Sequence, residues 1–379
     1  MAPAAYAPSR PDRFRTYALA ALLAAFAYRG LDVFELLKGQ PFGADYSCFW
    51  AGVKALSQGR LYDFTYVTAL QGWPFGDFVR PYIYPPSALF VFAPFAALPY
   101  WIGYGAWVVV TYGLMAWAGR RMGAPWWMAL FPVAWLVAIC GQVTFLVAGL
   151  VAGALTLRHR PIAAGVLLGI AAAVKPQMLL FVPIGLVATG QWRTLAAAGV
   201  TGLVLCLGSA ALWGVDLWPQ WLAALSRFHA EVILTNPLLI RAGITPYSML
   251  ALHGLPSALA FLLAPFAVAL VWITFRRTES APDRLIAVAA AALAVSPYAM
   301  HYEAAMLLPA IAAYMARTKD RLWPLYATVG CVYTMGLAYG FTPVAVALVL
   351  PLSTWLRTTS IPAAALAYAR RMTAKSARS

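Results

Sequence analysis

Asp45, Lys175 and His301 are three polar residues standing where apolar runs of the chain break. A carboxylate, an ammonium and an imidazole could together remove a proton and hold a phosphate. Asp45 opens the stretch Gly43-Ala44-Asp45-Tyr46-Ser47-Cys48-Phe49-Trp50. It fits either an N-cap, which satisfies free helix N–H groups, or a general base at a water–lipid boundary, where partial burial raises its proton affinity. Lys175 separates the apolar runs Gly165–Val174 and Gln177–Gly190. It reads either as a snorkelling residue at a span end or as a compact point charge for a phosphate. His301, in Ser296-Pro297-Tyr298-Ala299-Met300-His301-Tyr302-Glu303, is either a satisfied polar residue or a phosphate ligand and proton-transfer partner.

Four further residues join the candidates for donor-phosphate or substrate binding. Arg80 and Tyr84 belong to Arg-Pro-Tyr-Ile-Tyr-Pro-Pro, which also has the composition of an aromatic belt ahead of a helix start. The Arg80 guanidinium could meet an anion bidentately. Gln142 follows Gly141 at a turn, and Arg241 could face substrate or pair with Glu231. His159 sits in a basic connector, and His229 and His253 carry no assignment. Glycine-rich phosphate loops, His-Glu-x-x-His and Cys-x-x-Cys are absent from the sequence. With no paired acid beside Asp45, the expected reaction uses no metal and no other cofactor.

The elements that must position these residues are membrane helices. The chain is 63% hydrophobic and 10% charged, with a mean hydropathy of +0.75, whereas soluble domains carry about 25% charged residues. Apolar runs recur from Thr16 to Leu356, and a bilayer requires about 20 apolar residues per helix. The net charge of +15 concentrates in short connectors, namely Arg120-Arg121, Arg158 and Arg160, Arg193, Arg276-Arg277 and Arg284, and Arg317-Lys319-Arg321. Both tails, residues 1–15 and 357–379, are basic as well. This is the signature of cytoplasmic loops facing anionic membrane lipids, and it argues against nucleic acid as a partner.

Apolar runs read against those connectors give one transmembrane domain over residues 16–356. It has about twelve crossings, both termini inside, and outer loops at about 38–85 and 214–247. The first span is about Thr16–Leu37, too long and too aromatic for a typical cleaved leader. Pro86–Leu98 is only 13 residues, about 20 Å as a helix, so it is expected to re-enter or tilt strongly. Ser47–Leu56 and Trp218–Val232 carry apolar residues at helical spacing and are expected as interfacial helices. The map puts Asp45, Lys175 and His301 on the outer side. Cys48 and Cys140 also fall there; a bridge between them is the less favoured reading.

Several of these residues carry a family resemblance. Asp45 with Phe49-Trp50-Ala51-Gly52 is followed in order by Gly59-Arg60-Leu61-Tyr62, Tyr84-Pro85-Pro86, Leu98-Pro99, Gly141-Gln142, Lys175-Pro176, and Ser296-Pro297-Tyr298 with His301-Tyr302. In this the chain resembles glycosyltransferase family 87, polytopic enzymes of the GT-C class. Thr144 departs from the pattern, where Asn commonly follows Gly-Gln-Val. The resemblance implies an all-α GT-C bundle in the bacterial cytoplasmic membrane with its site on the outer face. It also implies transfer of a hexose, mannose being the best-known case, from a polyprenyl-phosphate monosaccharide to a lipid or glycan acceptor. On that analogy Asp45 deprotonates the acceptor with inversion, and Lys175, His301 and Arg80 stabilise the departing phosphate. The rival readings are a transporter or lipid flippase, and an assembly protein that has borrowed the fold.

Overall fold

The computed structural model describes residues 42–73, 79–236, 239–240 and 243–316. The first expected span, the two expected after residue 321, both tails and Arg241 lie outside them. The described residues are helical apart from turns and one isolated antiparallel bridge, Gly243 to Met300. The helices are α1 (Ala44–Leu56), α2 (Phe64–Leu70), α3 (Leu89–Ala96), α4 (Tyr100–Met122), α5 (Pro132–Cys140), α6 (Thr144–Thr156) and α7 (Pro161–Val174). They continue with α8 (Val182–Ala188), α9 (Trp192–Trp213), α10 (Leu217–Arg227), α11 (Pro246–Leu252), α12 (Ala264–Arg277), α13 (Ala281–Val295) and α14 (Leu308–Ala316). Short 3-10 turns at Pro86–Ala88, Trp126–Leu130, Pro176–Leu179, Ser257–Leu263 and His301–Leu307 precede α3, α5, α8, α12 and α14.

Position in the bundle follows from each helix's side-chain pattern. α6 is buried all round from Thr144 to Leu155, and α13 from Arg284 to Val295, so both are central. α4 buries one stripe, Gly103, Trp107, Thr111, Met115 and Gly119, and turns Trp101, Val109 and Trp117 outward. α9 is inverted relative to a soluble helix. Its buried residues are Thr194 and Ser209, while Val200, Leu203, Val204 and Leu207 are exposed. Apolar outside and small or polar inside is what a hydrocarbon solvent selects.

Small residues let these helices approach closely. A Cβ at Gly149 would come within 2.8 Å of the Met115 backbone nitrogen on α4. Gly165 and Gly169, four apart on α7, bring its backbone against α9. Added Cβ atoms there would lie 2.5 Å from the Thr194 carbonyl and 2.7 Å from the Ala198 carbonyl.

Two continuous stretches, Trp192–Trp213 and Ser257–Arg277, are long and apolar enough to cross a membrane. A third candidate is the pair Pro86–Ala96 and Tyr100–Met122, bent by 115°. The bend separates Pro86–Leu98 from α4, in keeping with the shortness of that run. The apolar helices Thr144–Thr156, Pro161–Val174 and Pro176–Ala188 are shorter than a span. Among the described residues, then, two or three helices meet the length requirement. One break in an apolar run, Lys175-Pro176, separates α7 from α8.

Candidate active site

α1 is launched by Gly43, whose φ of 77° is left-handed, a conformation glycine adopts without Cβ strain. Gly43 N–H donates to the Ile139 carbonyl at 2.7 Å, docking the start of α1 onto the last turn of α5. Gly43 is thus the N-cap and Asp45 is the second helical residue, making no side-chain cap. Its carboxylate turns aside. Arg80 Nη1 lies 3.3 Å from Oδ1, and Gln142 Nε2 donates to Oδ2 at 3.3 Å.

Both partners are held from behind. Gln71, buried on the C-terminal side of α2, donates to the Arg80 carbonyl at 2.6 Å and accepts from Ser47 Oγ on α1 at 2.8 Å. Thr68 Oγ1 accepts from the Arg80 N–H at 2.9 Å. Gln142 follows Gly141, which also has a left-handed φ, 68°. Gln142 Oε1 accepts from Tyr84 OH at 3.1 Å and from the Val143 N–H at 2.7 Å. That leaves its NH2 edge directed at Asp45. Burial drives the Asp45 proton affinity above the ordinary carboxylate value; the Arg80 and Lys175 charges oppose this, and Glu303 reinforces it.

A second polar chain begins at Lys175. Pro176 prevents α7 from continuing, and Lys175 leaves the helical region at φ −144° and ψ 73°. Its side chain does not snorkel to water. It is 7% exposed and ion-paired with Glu303, itself 2% exposed. The second Glu303 oxygen accepts from Thr144 Oγ1 at 3.1 Å. Thr144 therefore anchors a buried carboxylate. Ser87 Oγ donates to the Ala173 carbonyl at 2.6 Å, satisfying an acceptor at the end of α7.

The two chains meet at one cavity of about 810 Å³. Asp45, Arg80, Tyr84, Gln142, Lys175 and His301 all lie on its wall. The second large loop adds mostly apolar lining, Trp221, Leu225, Phe228, Val232 and Ile233. The last three belong to a π-helical turn, Phe228–Ile233, that extends α10. Trp221 Nε1 donates to the Ile83 carbonyl at 3.1 Å, tying this wall to the Arg80–Tyr84 segment. A cavity of this size, largely apolar with convergent polar groups, suits an amphiphilic ligand.

Glu303, Thr144 and His229 were missed as members of the site. His229 lines the cavity and shares a hydrogen bond with Tyr247 OH at 3.1 Å. Glu231 pairs with Arg227, four residues earlier, at 3.2 Å. Cys48 and Cys140 are both free thiols beside the cavity, and burial pushes that of Cys48 up to about 12. A second carboxylate does stand near Asp45, but it is committed to Lys175 and Thr144.

The sequence profile of glycosyltransferase family 87 matches residues 82–297, more than half of the chain. The match includes Tyr84, Gln142 and Lys175; Asp45 and Arg80 precede it, and His301 follows it. A polyprenol-phosphate-mannose-dependent alpha-(1-2)-phosphatidylinositol mannoside mannosyltransferase of Mycolicibacterium smegmatis is 25% identical over 333 residues. That covers 76% of this chain and 74% of the relative. No solved structure matches the chain.

Proposed function

The chain belongs to glycosyltransferase family 87, and from that premise we propose that it moves a hexose from a polyprenyl-phosphate carrier to a lipid or glycan acceptor. The family and the relative together support a membrane glycosyltransferase. The donor and acceptor rest chiefly on one observation: a partly buried, oriented carboxylate and two cationic side chains share a single cavity whose remaining lining is mostly apolar. The relative's dependence on polyprenol-phosphate-mannose supports mannose as the sugar and a phosphoglycolipid as the acceptor. The site is read as facing the outside of the cytoplasmic membrane, because the basic connectors mark the other side.

The chemistry runs as follows. An acceptor hydroxyl oxygen attacks the anomeric carbon from the side opposite the phosphate. The bond from that carbon to the phosphate oxygen breaks with its electron pair, and the carbon inverts. Asp45 takes the hydroxyl proton, and its raised affinity makes it a stronger base than an exposed carboxylate. Gln142 keeps the carboxylate aimed. The departing lipid phosphate gains a negative charge, which Lys175, Arg80 and His301 stabilise. Proton capture by Asp45 also weakens its hold on Arg80 just as the phosphate's need for a cation grows.

The experiment is a panel of polyprenyl-phosphate sugars offered to purified protein with a phosphoglycolipid acceptor, and the product's anomeric configuration read by NMR. Transfer with inversion from one donor supports the proposal. Retention would exclude Asp45 as a simple base. Lipid movement across a vesicle without any new glycosidic bond would favour the flippase reading.

A further inference from the structure

Glu303 lies behind Lys175, not on the cavity wall. The wall includes Val174, Lys175, Pro176 and His301, whereas Glu303 is almost wholly buried and does not border the cavity. Both its carboxylate oxygens are occupied, one by the Lys175 ammonium and the other by Thr144 Oγ1. Buried and away from the cavity wall, it does not meet a substrate, and its chemistry must pass through Lys175.

Three elements converge on this carboxylate. Thr144 starts α6, Lys175 ends α7, and Glu303 sits in the 3-10 turn His301–Leu307. In a 3-10 turn successive residues advance by about 120°. Hence His301 can face the cavity while Glu303, two residues on, faces Lys175. One carboxylate thus fixes the ammonium and the turn that carries the imidazole. Buried ion pairs contribute little net stability compared with well-packed apolar pairs, so packing gives no sufficient account of this pair.

Resting on the glycosyl-transfer reading above, we propose that Glu303 is a positioning residue that presents the Lys175 ammonium, and with it His301, to the phosphate of the lipid-borne donor. The cation is held at the wall before the phosphate gains charge, so little reorganisation accompanies bond breaking. Loss of Glu303 should then appear in kcat more than in donor KM, because Lys175 matters most where the phosphate charge is greatest.

The test is a double-mutant cycle on the full chain in lipid: Glu303→Gln, Lys175→Met and the two combined, each checked by thermal melt. The double variant leaves no unpaired buried charge and serves as the folding control. Expected are at least tenfold losses of kcat in each single variant, donor KM within threefold of wild type, and a double variant no slower than Lys175→Met alone. A folded Glu303→Gln protein within twofold of wild-type kcat would overturn the proposal. So would a double variant whose loss is the product of the two single losses, since Glu303 would then act independently of Lys175. Polyprenyl phosphate binding, measured on the same four proteins, separates a failure of Glu303 to position Lys175 from a failure of sugar transfer itself. Tight binding by wild type without sugar transfer from any donor would sink the transfer reading alone, and non-additive losses of affinity would still support Glu303. Neither binding nor transfer by wild type would sink both.

Discussion

Asp45 is pulled in two directions at the residue scale: burial and Glu303 raise its proton affinity, and Arg80 and Lys175 lower it. Burial wins. In its proposed role as base it must be ionised, so kcat/KM should fall as pH drops through a value above the ordinary carboxylate range. Arg80→Gln removes a lowering influence and should move that acid limb to higher pH; an unmoved limb would mean that another group titrates. The same balance sets stability. A carboxyl whose folded proton affinity exceeds its unfolded one binds protons more tightly when folded, so ionising it costs stability as pH rises through that window. Asp45→Asn should therefore melt no lower than wild type at neutral pH, a combination expected of a functional and not a structural carboxylate.

The sequence disclosed the cast of this site better than its pairings. Asp45, Lys175 and His301 stood out because hydrocarbon rejects such groups. The N-cap reading of Asp45 fails because Gly43 takes that position with a left-handed φ that a sequence does not print. The snorkelling reading of Lys175 fails because Glu303, 128 residues away, neutralises it. An acid two residues beyond His301 at the head of an apolar run was the available signal for that partner.

At the element scale the site is a set of deliberate interruptions. Gly141 ends α5 in a left-handed conformation and hands the chain to Gln142. A Cβ there would sit 2.6 Å from Tyr46 Cβ. Gly141→Ala should cost roughly 1–2 kcal/mol for the backbone alone, and more for the clash. It should also lower kcat, since it moves Gln142; a kinetic and melting profile equal to wild type would show that the turn is tolerant. Gly169→Val makes the contrasting case. It wedges α7 from α9 far from Asp45 in sequence, and overpacking of this kind costs about 1–3 kcal/mol. The melt should drop, and an unchanged melt would show that the α7–α9 contact yields without cost. The turns at Gly141 and Lys175 and the boundaries of α7 were legible from glycine, proline and charge. The 115° bend after α3 was legible only as an apolar run too short to cross. The π-helical turn at Phe228–Ile233 left no trace in the apolar spacing.

At the scale of the whole molecule, contacts between connectors of the described residues fall into two groups. Arg158 pairs with Glu279, Arg121 Nε donates to Thr156 Oγ1 at 3.3 Å, and Arg276 Nη1 donates to the Ala188 carbonyl at 3.3 Å. Each contact joins segments that the charge map put inside. The bridge from Gly243 to Met300, the Trp221–Ile83 bond and the Asp45 network join segments that it put outside. A membrane-impermeant maleimide applied to intact cells should then label Gln220→Cys and spare His159→Cys, both at exposed positions. The reverse pattern would invert the topology and move the cavity to the cytoplasmic side. Short basic connectors were the sequence signal for this order; among the described residues two or three helices are long and apolar enough to cross.

The most direct test of the central claim compares wild type with Asp45→Asn for sugar transfer from polyprenyl-phosphate mannose to a phosphoglycolipid, alongside donor binding by both proteins. The account predicts turnover by wild type, a loss of at least a thousandfold in the variant, about 4 kcal/mol of barrier, and donor affinity within threefold. Equal turnover by the two proteins would contradict it.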